Sequence, residues 1–170
     1  MKNFLLLTLI ALLSLFSCER QSTEIISTVN GFEIFKLADS TITTKQAQHI
    51  LLDSLVLSQF PFLTEDDLVA YYWASHTFTT HPDIDTLFSR MRWLPGKSAG
   101  VPFVVVAGNS RIYQGAFWWP YSSSLPPGAY IMIVFPPPYA IQFESFSSLP
   151  DLRGDRRIYD VLKESGVLVE

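Results

Sequence analysis

Few residues of this chain are of types that do chemistry, and their spacing limits what they could do. Its 170 residues include three histidines, His49, His76 and His81, and a single cysteine, Cys18. A zinc site needs ligands on one helix face, as at i and i+4, or clustered thiolates. His76 and His81 stand five apart across an expected strand-to-helix junction, with no thiolate near them. Neither a metal nor another cofactor is expected. Ser122-Ser123-Ser124 offers hydroxyls, and with His76 as base and Asp66, Asp67 or Asp83 behind it a small periplasmic serine hydrolase is one reading, since triads assemble in space. The flanking residues lack the Gly-x-Ser-x-Gly elbow that strains a nucleophile into exposure, so a serine-rich loop bonding its own backbone is the plainer reading. Glu65-Asp66-Asp67 follows Thr64 as carboxylates follow an N-cap; consecutive residues diverge on a helix, which disfavours paired-acid catalysis. Asp151, Asp155 and Asp160 interleave with Arg153, Arg156 and Arg157 and read as ion-paired surface. The expectation is a non-catalytic chain.

The remaining unusual feature is Phe117-Trp118-Trp119-Pro120-Tyr121. Neighbouring side chains of a strand face opposite ways, so Trp118 and Trp119 cannot enter the same core. Either the sheet is covered on both sides there, or at least one indole faces outward. Tryptophan and tyrosine dominate binding hot spots, which makes Trp118, Trp119, Tyr121 and Tyr113 candidate contacts for a protein or peptide partner. Aromatic faces also stack on sugar rings, so a carbohydrate-binding surface lipoprotein is a further alternative.

These residues depend on a central hairpin. Val101 to Ala107 is apolar on both faces and reads as a strand buried from two sides. Gly108-Asn109-Ser110 supplies a tight turn. Ile112 to Phe117 alternates and reads as a strand covered on one side. Around it, Asn30-Gly31 marks an earlier hairpin within residues 24–37, Thr43 opens a short helix to about Leu52, and Leu55 to Leu57 reads as a short strand. Pro82 sits in the first turn of a helix with Ile84, Leu87, Phe88 and Met91 on one face. Ala129 to Phe135 and Ile141 to Phe143 are further strands, and a helix from Asp155 is closed by Gly166. The fold class expected is α+β: a mostly antiparallel sheet of four to six strands, with two or three short helices covering one face.

The N-terminus reads as an export signal. Lys2 precedes a 13-residue apolar run, Phe4 to Phe16, interrupted by Thr8 and Ser14; this is short for a membrane span and suits a signal h-region. Residues 1–17 are expected to be removed, residues 18–23 to form a polar tether and residues 24–170 a single domain. Removing 17 residues leaves 153, with 16 acidic against 11 basic side chains once Lys2 departs. That balance argues against a nucleic-acid partner. With one cysteine no disulfide framework is available, but 13 Phe, 7 Tyr and 4 Trp can build a core.

Two resemblances bear on function. Leu15-Phe16-Ser17-Cys18 resembles a bacterial lipobox, which implies a lipid on Cys18 and anchorage in the cell envelope. Each buried methylene contributes about 0.8 kcal/mol, so several acyl chains make release negligible. Glu19 is not the aspartate of an inner-membrane retention signal, which points to the outer membrane. Leu63-Thr64-Glu65-Asp66-Asp67-Leu68, His76-Thr77-Phe78, Gly100-Val101-Pro102-Phe103-Val104-Val105-Val106, Ile112-Tyr113-Gln114-Gly115-Ala116-Phe117-Trp118 and Ser122-Ser123 together resemble an uncharacterised family of secreted bacterial domains. In layout, residues 63–133 are also similar to the first extracytoplasmic domain of the protein-export subunit SecD. That likeness implies an α+β, non-enzymatic domain that contacts polypeptide.

Overall fold

The computed structural model describes residues 31–91, 99–134 and 136–170. The signal, Cys18, the tether and the upstream arm of the Asn30-Gly31 hairpin lie outside the described residues. In chain order the strands are β1 Phe32–Lys36, β2 Leu63–Thr64, β3 Leu68–Tyr72, β4 Thr77–Thr80, β5 Val101–Ala107, β6 Ser110–Trp118, β7 Ala129–Met132, β8 Tyr139–Phe143 and β9 Leu168–Val169. The helices are α1 Thr44–Ala47, α2 Pro82–Met91 and α3 Arg156–Glu164.

A strand with no polar side chain to turn outward has to be covered on both faces, and β5 is. Phe103, Val105 and Ala107 enter the main core, while Val104 and Val106 enter a second, smaller one with Phe35, Leu37, Ala47 and Leu55. The hairpin to β6 forms where the sequence places it. Gly108 has φ +58°, a conformation that glycine adopts without the steric cost of a Cβ.

The sheet is larger than expected and of a different kind. It has nine strands in the order β2-β1-β5-β6-β7-β8-β4-β3-β9, not four to six. It is mixed, because β6 and β7 run parallel, as do β3 and β9. A parallel neighbour needs a crossover, and residues 119–128 provide one by carrying the chain back along the sheet. The sheet also curls into a half-barrel. β1 and β3 are six strand spacings apart, roughly 29 Å on a flat sheet, yet the Phe32 and Tyr71 rings lie 6.1 Å apart.

The hollow of the curl is filled by aromatic rings and two helices. Phe88 of α2 stacks on Tyr139 with centroids 4.1 Å apart and meets the Phe62 ring edge-on at 5.3 Å. Ile158 and Leu162 of α3 join the same core. α1 lies on the opposite, convex side, where Thr43 accepts from the Gln46 amide and Gln46 accepts in return from the Thr43 amide at 2.8 Å. The helices therefore cover both faces rather than one. The helix expected to reach Leu52 stops after Ala47, and Leu55–Leu57 contributes only a bridge between Leu37 and Leu57. Over β7, β8 and β4 the described residues leave the convex face open, with Thr77, Thr79, Tyr130, Met132, Ala140 and Gln142 half-buried or exposed.

Phe88→Ala, at a position with 0% exposure, should cost about 3–5 kcal/mol. Urea denaturation of the purified domain checks this.

Candidate functional site

The structure first relocates the aromatic residues. Trp118 is 5% and Trp119 1% exposed, and Tyr113 is also buried; among the four expected contact residues only Tyr121 is exposed. Of the two arrangements open to adjacent indoles, the one realised is a sheet covered on both sides. Trp119 belongs to the main core, where its Nε1 donates to the Met91 carbonyl at 3.3 Å. Trp118 lies on the other face against Gly100, where a Cβ would come within 2.5 Å of the indole ring. Gly100 has φ +78°, so that position favours glycine twice over. β6 is accordingly covered on both faces, not on one. The indoles of Trp118 and Trp119 are not an outward contact surface.

The candidate base His76 is held among aromatic side chains. His76, at φ +52°, places Nδ1 3.2 Å from the Tyr71 hydroxyl, and its ring lies edge-on to Trp73 at 5.4 Å. Burial pushes the His76 imidazole below its ordinary value; nearby Arg153 acts in the same direction and Asp151 partly opposes it. Burial likewise pushes the Tyr71 phenol up, away from nucleophilic use. Ser122 gives its amide to the Trp119 carbonyl at 3.0 Å, as a turn residue does. Glu65-Asp66-Asp67 forms a 3-10 turn in which Thr64 donates from its amide and hydroxyl to the Asp67 carboxylate at 2.7 and 3.0 Å. Glu65 instead faces Glu33, whose carboxyl is raised by burial and then by the Glu65 charge. Among the described residues no three His, Cys, Asp or Glu side chains gather as metal ligands. His49 and His81 are exposed.

The feature that stands out is a cleft of about 250 Å³, lined by Ile50, Leu52, Ile112, Phe143, Leu149 and Leu152 together with Ala129 and Pro150. Tyr113 and Gln114 are the polar side chains among its lining, and both their Oη and Oε1 atoms are buried without a hydrogen-bond partner. A bulge creates one wall. Val105 pairs with Tyr113 and Val106 with Arg111, which leaves Ile112 as an extra residue in β6. Bulges re-aim side chains in this way, and here Ile112 lines the cleft.

Two arginines hold the outer walls. Arg111 donates from Nη1 to the Leu52 and Leu55 carbonyls at 2.8 and 2.7 Å, strapping the covering segment to the sheet. Arg153 grips Asp151 through Nε and Nη2 at 2.9 and 2.7 Å and donates from Nη1 to the Ile141 carbonyl at 2.9 Å. The loop between them is pinned by Ser147, whose hydroxyl donates to the Pro127 carbonyl at 2.6 Å. Gln48 donates to the same carbonyl at 3.4 Å, which brings the ends of both walls together. Around the mouth, Leu51 is 79%, Phe146 87% and Leu152 36% exposed. No single motif announces this site, because its lining comes from four separated segments of chain. The one available signal was a surplus of apolar residues in the stretches 50–57 and 143–152, outside clear strands.

No family model, curated protein or solved structure matches the chain. The likeness of residues 63–133 to secreted domains and to SecD stands on the sequence alone.

The His76 shift has a definite sign. A lowered folded value means that the unfolded chain takes up the proton first, so stability is full above the ordinary value near 6.5 and falls as pH drops through it. Asparagine tolerates left-handed backbone, so His76→Asn should keep the turn and flatten that slope. Melting temperatures of both proteins between about pH 7.5 and 5, bracketing the ordinary histidine value, check it.

Proposed function

We propose that this chain is a lipid-anchored, non-catalytic domain of the bacterial cell envelope, held in the outer membrane through Cys18. It binds a protein or peptide by seating an apolar side chain in the cleft. The observation that carries the binding reading is the cleft's composition: a mostly aliphatic and aromatic lining in which Tyr113 and Gln114 are the polar side chains and none is an acid, a lysine, an arginine or a histidine. Its size supports a side chain over a larger ligand. Sites for drug-sized molecules run from about 300 to 1,000 Å³, and this one is about 250 Å³. Rim residues such as Leu51 and Phe146 lie open to water, as do residues of a surface that becomes buried when a partner arrives. The partner-facing surface is thus moved from the indole end of the hairpin to the opposite end of β6, where the bulge lies. The anchor reading rests on Lys2, the apolar run and the position of Cys18. Among the described residues no helix is long and apolar enough to cross a membrane.

Two measurements test the two halves separately. Cys18→Ser should move the chain from the membrane fraction to the soluble one and abolish incorporation of a clickable fatty acid; an unchanged distribution removes the anchor. For the cleft, selection from a displayed peptide library should enrich Leu and Phe centres. Leu152→Asp should weaken the selected peptides about tenfold or more, since burying such a side chain contributes about 1.5–3 kcal/mol. Undiminished binding removes the cleft from the site.

A further inference from the structure

The mouth of the cleft has a charge as well as a shape. It is formed by residues 50–53 and 143–152, which carry Asp53, Glu144 and Asp151 and contain no lysine or arginine. Asp53 follows the lining residue Leu52, Glu144 follows Phe143, and Asp151 stands between Pro150 and Leu152. The arginines nearest the mouth are occupied. Arg111 gives its Nη1 hydrogens to the Leu52 and Leu55 carbonyls, and Arg153 is held by Asp151 in a two-point ion pair. Three carboxylates against these two arginines, one of them paired with Asp151, leave the rim with a single negative charge in excess, on a chain whose own net charge is −4.

An apolar slot whose rim carries an excess negative charge disfavours an anionic bilayer and an acidic peptide alike, because like charges brought together at an interface repel. It favours an apolar residue carried between cations. Lysine and arginine flanks would meet Asp53 and Glu144 while their aliphatic stems cover the exposed Leu51, Phe146 and Leu152, as long basic side chains do on apolar surface. We infer that the partner is a cationic polypeptide segment: a leucine or phenylalanine seated in the cleft, with basic residues on either side against the acidic rim. This rests on the cleft being the binding site proposed above and adds the chemistry of what enters it.

The test uses the full lipidated chain in phosphatidylcholine nanodiscs and fluorescent synthetic peptides with a Leu-Phe centre. One peptide is flanked by lysines, its twin by glutamates, and a third keeps the lysines around an Ala-Ala centre. By anisotropy the lysine-flanked peptide should bind at least tenfold more tightly than the glutamate twin, and the Ala-Ala peptide should bind at least tenfold more weakly than it. Asp53→Lys, at an exposed position, should shrink the preference between the twins. Leu152→Ser should weaken the lysine-flanked Leu-Phe peptide with little effect on the fold. Equal binding of both twins, lost in Leu152→Ser, would keep the cleft as the site and overturn the cationic partner. Binding sensitive to Asp53→Lys but indifferent to Leu152→Ser would overturn the cleft itself. If no peptide binds, and hydrogen exchange shows residues 144–152 protected by the nanodisc alone, the mouth belongs to lipid and both readings fall.

Discussion

Two-sided burial of Val101–Ala107 is the constraint from which the other features follow. Each fully buried valine or phenylalanine contributes about 1.5–3 kcal/mol, and this strand has no face on which to place a side chain in water. Its concave face is served by curling the sheet until the strands carrying Phe32 and Tyr71 meet across the hollow. Its convex face is served by the irregular segment between the first two strands, which brings Ala47 and Leu55 onto Val104 and Val106. The same segment then supplies Ile50 and Leu52 to the cleft. The candidate site is therefore a consequence of how the central strand is covered, formed where that covering segment and the loop after Phe143 approach without closing.

Irregular segments laid on a sheet leave carbonyls that need donors. Arginine meets that need better than lysine, because its planar fork presents five donors in fixed geometry. Arg111 and Arg153 each bind backbone carbonyls of such segments, Leu52 and Leu55 in one case and Ile141 in the other. Both arginines keep their charge while they hold these carbonyls, and Arg153 also pairs with Asp151, so together they offset two of the three carboxylates at the mouth. Structure and electrostatics are coupled through the same two side chains.

Much of the fold was legible where one short stretch carried the whole signal. The Gly108 turn, the stripe of Phe88 and Met91 on the second helix and the start of the third helix beside Asp155 all appear where spacing placed them. The strand count did not, because two-residue strands such as Leu63–Thr64 and Leu168–Val169 have no period to detect and exist only because a neighbour offers a ladder. The site was less legible still. Trp118 and Trp119 were correctly read as facing opposite ways, but their exposure turned on whether a second layer lay outside the sheet. Gly100 and the first helix provide it, eighteen and some seventy residues away in the chain.

By itself the sequence determined the central hairpin, the helices that start at Pro82 and near Asp155, and the absence of a disulfide framework within the chain. All of these depend on residues a few positions apart, or on composition. Tertiary structure alone decided that the sheet would have nine strands, that two pairs would run parallel, that both indoles would be inside and that Ile112 would bulge into an apolar cleft. Those outcomes depend on which distant segment covers which face, and the free energy of burial is the same whichever segment does the covering. A local pattern therefore specifies that a face must be hidden, while the folded chain alone specifies by what.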